Sequence, residues 1–329
     1  MVSKIIEELR KIKIDHSVMS DKEVLEASKI LNEMNESALQ RFSTGVVTAL
    51  PVEMAALESC FDNIQNIEMR GINYKIGSAS IRGSNSKKII SVLKRASDMG
   101  NNMSAICASN MLNAFPNIDD IIMVGIAAGM PYPENPEKHV RLGDIVVSDQ
   151  QGVTQYDFGK QYKDHFEEKQ RGRPPSPKLI DSVNELSTLE LKGDRPWEQH
   201  IANLMIRLNW NRPNAETDKI FDAEISEKEI EHPVDPQRIS DAPRIFRGKI
   251  GSANLVLKSG KHRRKLRERH NVIAVEMEAS GIADAAWSQR AGYLVIRGIC
   301  DYADRNKNDE WHKYASLVAA AYCKAILEL

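Results

Sequence analysis

The chain of 329 residues has only four cysteines, Cys60, Cys107, Cys300 and Cys323, with no CxxC pair and no tight Cys/His cluster. That spacing argues against a structural zinc or a disulfide scaffold and fits a reducing compartment. Long apolar runs are also missing, and no stretch approaches the roughly 20 residues a membrane span requires. The first residues, MVSKIIEELRKIKIDHS, carry charge throughout and lack the apolar core of a secretion signal. A formal charge of -1 removes any global bias toward nucleic acid or anionic membrane. No internal repeat is visible. The expectation is a cytoplasmic protein that binds neither nucleic acid nor membrane and needs no metal or cofactor.

What is present is enough sequence for one large α/β core. The hydrophobic share of 42% is slightly low and suggests that polar insertions dilute it. Residues 1–43 read as a separate helical extension. Ser3 stands before Ile5, Ile6, Leu9 and Ile12, and Ser20 with Glu23 has capping-box spacing before Val24, Leu25 and Ala27. Such an extension is a packing or dimerisation element, or an adaptor for a protein partner. Strand and helix patterns alternate from Gly45 onward, which predicts a three-layer α/β domain over residues 44–329. Buried strands are expected at Gly45–Leu50, Ile121–Ile126, Val140–Ser148 and Ile245–Leu257, with weaker ones at Tyr74–Ser78 and Lys88–Leu93. Between about 160 and 243 the composition turns proline-rich and charged. Helices are expected there at Pro177–Leu191 and Trp197–Asn209, in an insertion or lid. An amphipathic helix, Glu310–Leu327, closes the chain.

The most informative stretch runs from Val272 to Asp304. Two β-rich runs, Val272–Val275 and Tyr293–Ile299, flank an Ala-rich helical segment, and each run stops at an acid. Glu276 and Glu278 follow the first run, and Asp301 follows the second. Glu53 lies in the first turn of a helix opened by Pro51, at the end of the first strand. Ligands of α/β sheets bind at the carboxyl ends of strands. Taken singly, an acid at such a place is often a dipole partner or a turn residue.

Together, VEMEA (Val275–Ala279), VIRGICD (Val295–Asp301), TALPVE ending at Glu53, GIAAG (Gly125–Gly129), LGDIVVS (Leu142–Ser148) and IGSANLVL (Ile250–Leu257) resemble the purine nucleoside phosphorylase and nucleosidase superfamily. The segments stand in the family's order and cover most of residues 45–329. The resemblance implies a three-layer αβα sandwich around a central mixed sheet and cleavage of a purine N-glycosidic bond. It implies that Asp301 meets the base at N7 as general acid and that Glu53 positions and deprotonates water. Met277 and Glu278 would hold the ribose, with Glu276 pairing structurally beside them. Arg297 would lie by the ribose or brace Glu278, and Val256 and Leu257 would sandwich the base. Two positions depart from the pattern. Cys300 replaces the usual serine donor to the aspartate, and a thiol donates more weakly. Ile126, next to Ala127, stands where several members carry Ser or Thr.

A phosphorylase needs glycine amides and arginines for phosphate, whereas the loop after the first strand is Thr48-Ala-Leu-Pro-Val-Glu53. Hydrolysis is therefore expected. Tyr156-Asp-Phe-Gly-Lys160 and Arg173-Pro-Pro175 resemble phosphorylase-like domains fused to NTPase or repeat modules, relatives of which strip adenine from nucleotides in antiphage defence. That resemblance implies an adenine nucleoside or nucleotide as substrate, AMP or ATP included. Lys160, Arg171, Arg173 and the basic run at 261–265 are candidates to meet phosphates, the run being otherwise a solvated face. The alternatives are a methylthioadenosine or S-adenosylhomocysteine nucleosidase, a phosphorylase, or a non-catalytic nucleotide-binding module. The resemblance also implies a homo-oligomer.

Overall fold

The computed structural model describes Ser20, Lys22 and residues 44–84, 88–169, 172–225 and 228–329. The helices expected within 1–43, and Arg171, lie outside the described residues. The elements that build the site are β1 (Thr44–Thr48), α1 (Pro51–Glu58), β2 (Asp62–Met69), β3 (Ile72–Ser80), β4 (Lys88–Arg95), α2 (Asn101–Ala114), β5 (Asp120–Gly129) and β6 (Ile145–Gln155). A short hairpin of β7 (Gly159–Gln161) and β8 (Phe166–Glu168) precedes α3 (Pro177–Leu191) and α4 (Pro196–Leu208). Then come β9 (Ile220–Phe221), β10 (Glu229–Ile230), β11 (Ile245–Ser252), α5 (Gly260–His270), β12 (Val272–Glu276), α6 (Ala279–Ser288), β13 (Gly292–Asp301) and α7 (His312–Leu327).

Nine strands form one mixed sheet in the order β12-β11-β6-β13-β5-β1-β4-β3-β2. β1, β4, β5 and β13 run parallel, so their carboxyl ends share one edge. At the other end of the sheet β12 turns back and pairs antiparallel with β5, Ala274 opposite Gly129 and Val275 opposite Ala128. This closes β5, β13, β6, β11 and β12 into a ring. The acidic end of β12 is thereby brought against the end of β5.

Helices cover both faces of the sheet: α2 packs on α6, while α7 packs on α1 and α4. The strands are apolar on both sides because both sides are covered; Ile121, Ile122, Met123, Leu294, Val295 and Ile296 are wholly buried. α7 departs from the amphipathic expectation. Nearly every residue from Tyr314 to Leu327 is buried. The insertion explains this, since Leu186, Trp197 and Leu204 of α3 and α4 join the same apolar core as Tyr322. β2 was not foreseen: its sequence, DNIQNIEM, is mostly polar, as suits a strand at the sheet edge.

The insertion is also anchored by a buried polar chain. Tyr132 donates its backbone N–H to His139 Nδ1 at 3.0 Å, which leaves the ring hydrogen on Nε2, 2.9 Å from His232 Nδ1. His232 Nε2 then donates to the Asp218 carbonyl at 2.7 Å. The Asp218 carboxylate accepts from Tyr302 Oη at 2.6 Å and Arg141 Nε at 2.7 Å. No helix among the described residues is long and apolar enough to cross a membrane.

Candidate active site

Where β1, β5, β12 and β13 end, a cavity of about 710 Å³ opens. Glu53, Ile126, Ala127, Val256, Leu257, Glu276, Met277, Glu278, Cys300 and Asp301 all line it, although they come from distant parts of the chain. Arg297 does not line it. It lies directly beneath, wholly buried.

Glu53 is fixed by local geometry. Pro51 starts α1, and the Glu53 side chain folds back so that Oε2 accepts from Ala49 N at 2.8 Å and Leu50 N at 2.7 Å. Its Oε1 accepts from Ile126 N at 2.8 Å. The backbone amide at Ile126 thus makes the polar contact that its side chain cannot. Gly125 leaves the room for this: a Cβ there would overlap Glu53 Oε1 and Arg297 Nη1.

Glu276 and Glu278 share Arg297. Glu276 Oε2 accepts from Arg297 Nη2, from Glu278 N at 3.0 Å and from Ala279 N at 2.8 Å. Its Oε1 is buried without a hydrogen-bond partner in the structure. Glu278 reaches the other way: Oε1 accepts from Gly100 N at 3.1 Å, and Oε2 lies 3.4 Å from Arg297 Nη2. Gly100 has φ of 104°, a conformation suited to glycine. Glu53 Oε1 stands 3.9 Å from Arg297 Nη1. Three carboxylates therefore surround one guanidinium. Burial, with the Glu276 charge next, pushes Glu278 up to about 7 against the opposing pull of Arg297.

Asp301 stands at the end of β13, 5% exposed. Its Oδ1 accepts from Ala303 N at 2.8 Å. Its Oδ2 accepts from Cys300 Sγ at 3.3 Å, so the thiol keeps the donor role expected of a serine. Burial, reinforced by Asp301, pushes the Cys300 thiol well up and keeps it a donor. Oδ2 also receives the Lys307 ammonium at 3.0 Å. Cys300, Asp301 and His312 could hold a metal ion, their donor atoms lying within 4.8 Å of one another. Lys307 already supplies positive charge at that carboxylate.

The rest of the wall is mostly apolar: Leu50, Pro51, Val52, Met99, Tyr156 and Leu255. Sequence reasoning missed Lys307, His312 and Met99, which sit in loops or at loop edges whose packing no local pattern announces. The two expected phosphate contacts lie away from the cavity. Lys160 lies exposed on β7 and Arg173 binds Asp284 at 2.6 Å while stacking on Trp287, and neither lines the cavity. The basic run is also largely engaged elsewhere: Arg263 holds the Tyr302 carbonyl at 2.6 Å and Asp304 at 3.2 Å, and Arg264 binds Glu224 at 2.7 Å. No described residue between 160 and 243 lines the cavity, and α3 and α4 pack behind α7.

The family model of the phosphorylase superfamily matches residues 43–328, and the chain belongs to that superfamily. It is 34% identical over 311 residues to a nucleotide-binding leucine-rich repeat (NLR)-like protein of Hyaloscypha variabilis, covering 88% of this chain and 29% of that one. It is 26% identical to the ATP nucleosidase Cap17 of Escherichia coli, covering 84% of this chain and 49% of the relative. A 5'-methylthioadenosine/S-adenosylhomocysteine nucleosidase of Mycobacterium bovis is 24% identical, with 87% and 96% covered. The chain thus spans half or less of the first two relatives. Among solved structures, the Neisseria meningitidis 5'-methylthioadenosine/S-adenosylhomocysteine nucleosidase in complex with methylthio-immucillin-A shares the fold, with a TM-score of 0.58 at 17% identity over 87% of this chain and 98% of that one.

Proposed function

We propose that the chain is a purine nucleosidase that hydrolyses the N-glycosidic bond of an adenine nucleoside or nucleotide and releases adenine. The observation that carries this reading is Glu53, held by three backbone amides on one side of a cavity that has Asp301 on another. A fixed carboxylate is suited to orient water and take its proton, and it would repel a phosphate dianion. The guanidinium nearest that spot, Arg297, is committed to three carboxylates. Glu278 and the unpartnered Oε1 of Glu276 are placed to accept from ribose hydroxyls and to offset positive charge developing on the sugar. Asp301, with its neighbours, meets the departing base between Val256 and Leu257.

The ATP nucleosidase relative supports a nucleotide substrate. A neutral thioether nucleoside is the second reading, favoured by the apolar wall of Leu50, Pro51, Val52, Met99 and Leu255. Met99, Leu255 and Val256 are each about half exposed at the cavity, a surface suited to a second copy of the chain. Light scattering tests that association.

The test of function is chromatography of the purified chain with adenosine, methylthioadenosine, AMP and ATP, with and without phosphate. Phosphate-independent adenine release, lost at least about 10²-fold in both Glu53→Gln and Asp301→Asn, is expected. A requirement for phosphate would make it a phosphorylase. Release from none of the four would leave a binding module.

A further inference from the structure

The hydrogen bonds at Asp301 leave its role as proton source open to a count of lone pairs. Oδ2 lies 3.3 Å from the Cys300 thiol and forms an ion pair with Lys307 Nζ at 3.0 Å. Oδ1 accepts from Ala303 N at 2.8 Å and keeps one lone pair free. The Cys300 thiol also has the Ala127 carbonyl within 3.5 Å, while the Ala303 amide and the Lys307 ammonium face the carboxylate. Lys307 and His312 both line the cavity with nitrogens able to give a hydrogen, and Lys307 is the one paired with Asp301. Its ammonium has three hydrogens and spends one on Asp301.

The Hoogsteen edge of adenine presents an acceptor, N7, beside a donor, the 6-amino group. An ammonium beside a carboxylate matches it, donor to N7 and acceptor to the amine. A 6-oxopurine presents two acceptors and would set its O6 against the Asp301 carboxylate. We infer that Lys307 is a catalytic and specificity-determining residue: it donates to N7 of an adenine while Asp301 Oδ1 accepts from the 6-amino group. This rests on the hydrolase reading above. As the C1'–N9 bond breaks, its electron pair stays with the purine, and N7 takes a proton from Lys307 Nζ. Water oxygen bonds to C1' and gives one proton to Glu53. Glu53 releases that proton to solvent, Lys307 regains one from solvent, and adenine leaves neutral. Burial pulls the Lys307 pKa down, but the Asp301 and Asp309 carboxylates beside it leave it raised, so the ammonium is the form present at neutral pH.

The test uses the purified full chain, with Lys307→Met and Lys307→Arg beside it. Turnover is measured on whichever of adenosine, methylthioadenosine, AMP and ATP the wild type cleaves. Binding is measured by calorimetry with adenine, hypoxanthine and 7-deazaadenine, which has C–H in place of N7. Lys307→Met is expected to lower kcat about 10²-fold with little change in KM, and Lys307→Arg to recover part of it. The wild type is expected to bind adenine at least about 10-fold more tightly than 7-deazaadenine or hypoxanthine, with Lys307→Met erasing the preference over 7-deazaadenine. Unchanged kcat in Lys307→Met, or equal binding of adenine and 7-deazaadenine by the wild type, would overturn the inference, as would no adenine binding. If the wild type cleaves nothing, the hydrolase reading fails alone, and the binding comparison still decides the contact with N7.

Discussion

Replacing Arg297 with methionine keeps most of the side-chain volume and removes the charge that three buried carboxylates share. Arg297 Nη2 bonds Glu276 Oε2 and lies 3.4 Å from Glu278 Oε2, while Nη1 lies 3.9 Å from Glu53 Oε1. At an effective dielectric of about 20, a pair at that separation attracts by roughly 5 kcal/mol before desolvation is subtracted. Breaking a buried pair by removing one partner leaves a net loss of about 3–5 kcal/mol. The loss should depend on pH, and its sign follows from Glu278. Its folded-state value, about 7, is above the ordinary glutamate value of 4.5, so the folded protein holds this proton more firmly than the unfolded chain. That contribution to stability is full at acid pH and disappears as pH rises through about 7. Without Arg297 the Glu278 carboxyl rises further, and each pH unit of that rise adds about 1.4 kcal/mol to the difference between acid and alkaline stability. Urea denaturation followed by circular dichroism at pH 6 and pH 8.5 should show a larger deficit for Arg297→Met at pH 8.5. Equal deficits at the two pH values would mean that only packing was lost, and would refute the electrostatic account.

Two further perturbations address other parts of the frame. Burial, with His232 next, pulls His139 down to about 3, so the folded chain refuses a proton that the unfolded chain takes near 6.5. Stability from this residue is present above about 6.5 and is lost as pH falls; His139→Gln should relieve about 2 kcal/mol of the acid destabilisation between pH 7 and 5, read by denaturation of both proteins. Gly125→Ala pushes a methyl group into Glu53 and Arg297 and should lower kcat at least about 10-fold in the adenine-release assay, as misplaced catalytic groups do.

Much of this architecture is legible in the sequence because its parts are locally coded. α3 begins and ends where the proline and the apolar spacing predict, at Pro177 and Leu191. The acids near the ends of β1, β12 and β13 stand out as a set, within the motifs that carry the resemblance, and the cavity gathers them. What was not legible depends on contacts between distant segments. Arg173 looks free in a proline-rich loop, yet the bridge of that loop to Val153 sets it against Asp284 and Trp287. Lys307 is one charge among several in RNKND, and only the path of the loop after β13 turns it onto Asp301. Cys300 has the opposite history: a substitution that looks disruptive in sequence is accommodated, with the sulfur 3.3 Å from the same carboxylate oxygen.

The antiparallel pairing of β12 with β5 has a consequence for motion. Because it completes a hydrogen-bonded hoop through β13, β6 and β11, the halves of the pocket cannot swing apart as two domains hinged on a groove would. The acids on the hoop are preset before any ligand arrives. Three loops hang from its rim: residues 98–100, 254–259 and 302–311. The first and last of these carry the Gly100 amide and the Lys307 ammonium, each bonded to an acid of the rigid frame. Glu53, held by three backbone amides, stands apart from these loops.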